Sequence, residues 1–222
     1  MISLIYCLDV LSSWCFYSEP NLRRLLDLHG KHLRYEWRIA LVTDHPRGGF
    51  SREQYDWFYR RSGSISGTRL NSGWRTADYA SSVEPNLAAE AARELGFSDD
   101  RVRLAISRAA LIEGKPVLER ATLLQIVSAA TGVEAAKIAE MMDAPQMRER
   151  IEKSCAEFEA LGVTQRPAYV LRSDIEDSAI FSGVWLFEPL NATIQAMLSD
   201  AEKYAHFEAN NAPMPGERGK SA

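Results

Sequence analysis

Ser12 and Cys15 stand three residues apart in the stretch DVLSSWCFYSEP, Asp9 to Pro20. A cysteine at both positions would make a C-x-x-C pair, which exchanges disulfides by thiolate attack on sulfur. With serine first, that dithiol chemistry is unavailable to the pair. Two roles remain for the hydroxyl. It can cap a helix by accepting a main-chain N–H, or it can donate to a bound thiolate or oxyanion. Cys15 occupies the position of the deeper sulfur in a C-x-x-C turn, which makes it either a packed, inert thiol or a monothiol that forms mixed disulfides. Cys7 lies in an apolar strand-like run and Cys155 on the apolar stripe of a helix, so both read as core.

A second stretch, GVTQRPAYVL over 162–171, carries Arg166 and Pro167. Proline lacks an N–H for the sheet ladder and belongs at strand starts, edges or bulges. If a cis peptide exists here it is Arg166–Pro167, because only X–Pro bonds isomerise at low cost; a trans proline opening an edge strand is the alternative. Arg166 either faces solvent or holds a carboxylate in a bidentate grip. In a third stretch, LNSGWRTADYA, Asn71 and Trp74 either contact substrate from an overhanging loop or, in the case of Trp74, pin that loop to its neighbours.

The surrounding pattern says how these residues are held. ISLIYCLD, 2–9, reads as a buried strand. Residues 14–29 read as a helix closed by Gly30, and 32–41 alternates Leu33, Tyr35, Trp37 and Ile39 with polar residues as a second strand. This is a β-α-β unit with a right-handed crossover. Helical patterns fill 51–161, beginning at a serine cap. PAYVLRS and SAIFSGV then read as an antiparallel hairpin, and EPLNATIQAMLSDAEKYAHFE as a final amphipathic helix. The expected architecture is therefore α/β: a thioredoxin-like domain from 1–50 and 162–205, an all-helical insertion at 51–161, and a disordered tail over 206–222. Ser12 falls where strand meets helix, and a helix start of that kind offers unpaired N–H groups and partial positive charge to an anion.

The 222 residues, 46% hydrophobic and 25% charged with a formal net charge of −4, suit an ordinary globular protein and offer no basic surface for nucleic acid. Apolar runs fall short of the roughly 18 residues of a membrane span. The start, MISLIYCLD, reads as a strand rather than a signal peptide. Three widely spaced cysteines make no disulfide framework, and the expected compartment is the cytoplasm. Four scattered histidines and the absence of C-x-x-C argue against a metal site, and no glycine-rich nucleotide loop occurs. Neither nucleic acid nor a membrane is expected as a partner.

The strand, the DVLSSWCFYSEP turn, the helical insertion and GVTQRPAYVL together resemble the DsbA-like branch of the thioredoxin superfamily, over about 1–205. Two groups within it are most similar. FrnE-type dithiol oxidoreductases carry C-P-W-C, which Trp14 and Cys15 match and Ser12 and Ser13 do not. Kappa-class glutathione transferases and 2-hydroxychromene-2-carboxylate isomerases carry D-x-x-S-P-Y-S, which Asp9 and Ser12 match while Ser13 replaces the proline. The resemblance implies glutathione held by Ser12, Ser13, Trp14, Arg166 and Pro167, with Ser12 on the sulfur and Pro167 as the family's cis-proline. It implies isomerase or transferase activity on a small-molecule substrate, with Ser12 and Cys15 as the catalytic candidates and Arg166, Asn71 and Trp74 on the substrate side, and a homodimer, since such relatives are often dimers. A thiol–disulfide oxidoreductase using Cys15 and a non-catalytic binding protein are the alternatives. One departure weighs against glutathione: relatives that use it have an acid pair after the last strand, where this chain has Gly183, Val184 and Trp185.

Overall fold

The structure is a computed structural model, and it describes residues 1–42, 51–75 and 81–211. Strand β1 (Ile2–Leu8) leads into helix α1 (Ser13–His29) and returns, through a short 3-10 turn, as β2 (Leu33–Ile39). Six helices follow: α2 (Arg52–Ser66), α3 (Val83–Glu94), α4 (Arg101–Leu111), α5 (Arg120–Thr131), α6 (Ala135–Asp143) and α7 (Pro145–Ala160). The chain then re-enters the sheet as β3 (Ala168–Ser173) and β4 (Ser178–Ser182), and ends in α8 (Phe187–Asn210).

The strands lie in the order β2-β1-β3-β4. β1 runs parallel to β2, from Ile2 opposite Leu33 to Leu8 opposite Ile39. It is antiparallel to β3, and β3 is antiparallel to β4. The parallel pair requires a crossover, which α1 supplies, whereas the antiparallel pair needs only a short turn. A central strand is covered on both faces, and β1 shows it. Leu4, Tyr6 and Leu8 are buried in the main core with Leu22 and Leu25 of α1 and Leu190 and Ile194 of α8. Cys7 points the other way, into a smaller cluster with Ala40, Ala168 and Phe158 of α7. Each such fully buried Leu or Ile contributes roughly 1.5–3 kcal/mol. The sheet is therefore the middle of three layers, and the ends of β1 and β2 open on the side where α1 begins.

Among the described residues the expected order of elements holds, including the hairpin and the run of helices between β2 and β3. The expected tail begins later than 206, because α8 continues to Asn210 with its last turns exposed. The rest of that tail, 212–222, lies outside the described residues, as do 43–50 at the expected domain boundary and 76–80 of the LNSGWRTADYA stretch.

Candidate active site at the start of α1

Ser12 is the N-cap of α1. Its backbone is extended (φ −76°, ψ 122°), and its Oγ accepts the N–H of Cys15 at 3.4 Å. The turn that delivers it is held by Asp9. The Ser12 N–H reaches the Asp9 carbonyl at 3.0 Å, and the Leu11 N–H reaches Asp9 Oδ1 at 2.9 Å. Short polar side chains bonding a backbone N–H two residues on build this kind of turn. Ser12, Ser13 and Trp14 are half-buried, and all three line a cavity of about 290 Å³.

The cavity has two walls. One comes from the sheet side: Asp9, Leu11, the Ser12–Trp14 turn, Val42 just after β2, and Thr164, Gln165 and Arg166 before β3. The other comes from the helical block, with Tyr55, Phe58, Tyr59 and Arg61 of α2 and Ser82 before α3. α2 is held firmly at its own start by a reciprocal capping box between Ser51 and Gln54, which satisfies two orphan donors at once. The Arg61 guanidinium rests over the rings of Trp57 and Phe58, at 4.7 and 5.3 Å from their centres. Asp9 is the only acid among the described lining residues.

Cys15 lies beneath this surface, 3% exposed. Burial pushes its thiol up to about 12, against the opposing pull of the Ser12 hydroxyl and the Asp9 amide. A thiol with that pKa is protonated at neutral pH, and the thiolate is the nucleophile. Cys7, also buried, is pushed up to about 11 by the same cause.

The Arg166–Pro167 peptide is cis. Arg166 borders the cavity, but much of its guanidinium is committed to the backbone. Nε donates to Ala40 O at 2.9 Å, Nη2 to Leu41 O at 2.5 Å and Nη1 to Thr164 O at 3.0 Å, with the group stacked over Phe158 at 4.4 Å. It thus ties the loop before Pro167 to the end of β2. Gly183 completes this corner. Its φ is +72°, its N–H bonds Pro167 O at 2.8 Å, and a Cβ there would lie 3.1 Å from Gln165 Cβ. Glycine alone takes that backbone at no steric cost.

Trp74 and Asn71 are not brought to the Ser12 cavity. Trp74 is 1% exposed and stands behind its wall, with Nε1 donating to Tyr59 Oη at 3.1 Å and its ring edge-on to Tyr55. Asn71 takes part in a different cleft, between α2 and the end of α4; its Oδ1 accepts the Gly73 N–H and its own N–H bonds Leu111 O. Trp185 packs on Trp14 with ring centres 5.9 Å apart, and its carbonyl accepts from Asn21 Nδ2. It fastens α1 to the start of α8. The residues that sequence reasoning missed are those of the α2 wall and Ser82. The aromatic spacing of Tyr55, Phe58 and Tyr59 marks one face of α2, but nothing local says that this face looks at Ser12.

One turn deeper, a second polar cluster sits against the same helix. The Tyr6 hydroxyl lies 2.9 Å from Ser18 Oγ and 3.1 Å from both Cys15 O and Glu19 Oε1. Arg103 of α4, its side chain 1% exposed, pairs with Glu19 at 2.5 and 3.0 Å, with Asp100 at 2.9 Å, and with Tyr35 Oη at 3.2 Å. Burial raises the Glu19 carboxyl and the Tyr6 hydroxyl, and Arg103 opposes both shifts.

These features define a DsbA-like thioredoxin fold with a helical insertion, and the comparison with solved structures agrees. The chain is similar to a candidate protein disulfide isomerase from Nitrosomonas europaea, at 16% identity and a TM-score of 0.74, over 90% of this chain and 98% of that one. It is similar to the cytosolic disulfide reductase DsbM from Pseudomonas aeruginosa, at 23% identity and 0.71, over 89% and 98%, a protein also solved with GSH. A 2-hydroxychromene-2-carboxylate isomerase aligns at 16% identity and 0.61, over 90% and 98%. At these identities the likeness defines the fold. No protein-family model and no curated protein matches the chain. Among the described residues there is no acid, histidine and cysteine group able to hold a metal, and no helix long and apolar enough to cross a membrane.

Proposed function

We propose that this protein binds glutathione with its sulfur at Ser12 and acts on a small organic molecule as a glutathione-dependent isomerase or transferase. The observation that carries the reading is the pairing of an accessible hydroxyl with a sealed thiol. Ser12 borders the cavity at a helix N-terminus, while Cys15 beneath it is buried and protonated. Such a turn favours a bound thiolate, through a hydroxyl donor and the partial positive charge of the helix start, but it has no second sulfur to form an internal disulfide.

The lining residues fit a thiol peptide. Arg61 offers a cation on the α2 wall of the cavity for a carboxylate of the bound molecule. Trp14 and Phe58 give apolar area for the rest of the ligand. Bound glutathione would supply the nucleophilic sulfur; the chain would lower the pKa of that sulfur, orient it and keep water from it. The DsbM neighbour solved with GSH supports the choice of ligand, and Arg61 is the candidate anchor for one of its carboxylates. A monothiol oxidoreductase at Cys15 is the weaker reading, because its thiol is both inaccessible and protonated.

Calorimetric titration with reduced glutathione tests this. Binding at millimolar or lower concentration is expected for the unmodified chain, with a lowered thiol pKa seen as thiolate absorbance, and loss of that lowering in Ser12→Ala. Absence of binding would overturn the proposal.

A further inference from the structure

Asp9 is 1% exposed, yet it borders the cavity. Its two carboxylate oxygens serve three separate segments. Oδ1 accepts the Leu11 N–H at 2.9 Å, within the turn that carries Ser12. Oδ2 accepts the Val42 N–H at 2.9 Å, just after β2, and the Ser82 hydroxyl at 2.5 Å, just before α3. Val42, Ser82 and the Ser12 turn are all cavity residues, drawn from positions 33 and 73 residues away from Asp9. Only an acceptor-only side chain with two oxygens satisfies three donors at once. The electrostatics oppose any direct benefit, since a carboxylate near the sulfur position would disfavour a thiolate. A buried acid kept at that location therefore acts through geometry.

We propose that Asp9 is the positioning residue of the site: its carboxylate fixes the turn that aims Ser12 and clamps that turn to the other two segments of the cavity wall. The inference rests on Ser12 being the ligand-facing group and is independent of which thiol binds there.

A thiol placed at position 12 reports on the turn without any ligand. In a Ser12→Cys background under reductant, the alkylation rate of the introduced thiol at neutral pH follows its thiolate fraction. Asp9→Glu keeps the charge but lengthens the arm by one methylene, while Asp9→Asn removes the charge and keeps one acceptor for the Leu11 N–H. Positioning predicts that Asp9→Glu slows alkylation roughly threefold, the scale of losing about half a pKa unit of helix-terminus stabilisation. An Asp9→Glu variant that reacts at the parental rate overturns the proposal. Amide hydrogen exchange gives a second reading that requires no folding of Asp9→Glu. In the unmodified chain the Leu11 and Val42 amides should be protected, and in Asp9→Asn one of the pair should lose protection while the other keeps it. Exchange of both amides at free-loop rates in the unmodified chain would overturn the proposal equally. Glutathione titration is measured separately, so a failure there removes the ligand assignment and leaves the thiol result standing.

Discussion

Helix α1 carries two polar clusters that differ in what surrounds them. At its start, Asp9, Ser12, Ser13 and Ser82 border an open cavity of about 290 Å³. One to two turns on, Tyr6, Ser18, Glu19, Tyr35, Asp100 and Arg103 form a network around a cation whose side chain is 1% exposed, while Glu19, Tyr35 and Asp100 at its edge line a separate cleft. The second cluster has more charges and the more strongly shifted titratable groups, with Glu19, Tyr6 and Tyr35 all raised by burial. Shifted groups mark functional sites only in a statistical sense, and structural ion pairs shift them too. Pairing separates the two clusters. In the inner one the polar groups answer one another; in the outer one the Ser12 hydroxyl borders space that a ligand can enter.

The largest effect that tests this contrast is on stability. Arg103→Ala leaves Glu19 and Asp100 without their buried cation, and breaking a buried pair by removing one partner costs about 3–5 kcal/mol. Urea unfolding of the variant should show a loss of that size. Where the variant remains folded, glutathione affinity should change far less than in Ser12→Ala. A large loss of binding with little loss of stability would reverse the assignment of the two clusters, and would make Arg103 part of the working site.

Ser12→Ala sharpens the opposite side. As a cap it contributes about 1 kcal/mol, so its unfolding midpoint should move modestly. The bound thiol should at the same time lose its lowered pKa. A variant that loses only the cap energy, with glutathione bound and ionised as before, would reduce Ser12 to a structural residue.

The outer cluster was also the more legible in sequence. The Ser12 cap, the strand before it and Pro167 after the insertion are local patterns, and the periodicities that place them are short-range. The six-helix block was readable as helices from its apolar stripes and closing glycines. What local pattern cannot carry is which face of α2 meets Ser12, or that Ser82 and Val42 share one carboxylate with Leu11. Arg103 is a clear instance. It sits in RVRLAISRAAL as an unremarkable helical arginine, and its burial follows only from its contacts with Glu19 of α1, 84 residues away, and Tyr35 of β2, 68 residues away. For Arg166 the sequence leaves a solvent-facing side chain and a carboxylate clamp equally open; in the structure three of its donors hold main-chain carbonyls, a use that requires knowing where β2 ends.

At neutral pH the smallest expected effect concerns Cys15, which lies between the two clusters. Its sulfur is sealed, its carbonyl accepts from Ser18 Oγ at 2.7 Å, and its N–H caps onto Ser12. Treatment with oxidised glutathione at neutral pH should leave Cys15 unmodified by mass spectrometry, since the thiol, pushed up to about 12, is neither accessible nor ionised. The same shift sets a pH dependence of stability. A thiol raised in the folded state from its ordinary value near 9 contributes stability that is fully present below about pH 9. The contribution is lost as pH rises toward 12, because the unfolded chain releases the proton first. The comparison of wild type with Cys15→Ala cancels the other titrating groups. The stability advantage of wild type over that variant should be constant from pH 6 to 8 and shrink by about 1 kcal/mol per pH unit above pH 9. An advantage already falling between pH 7 and 8 would mean an accessible, ionising thiol, and would return Cys15 to the outer, reactive cluster.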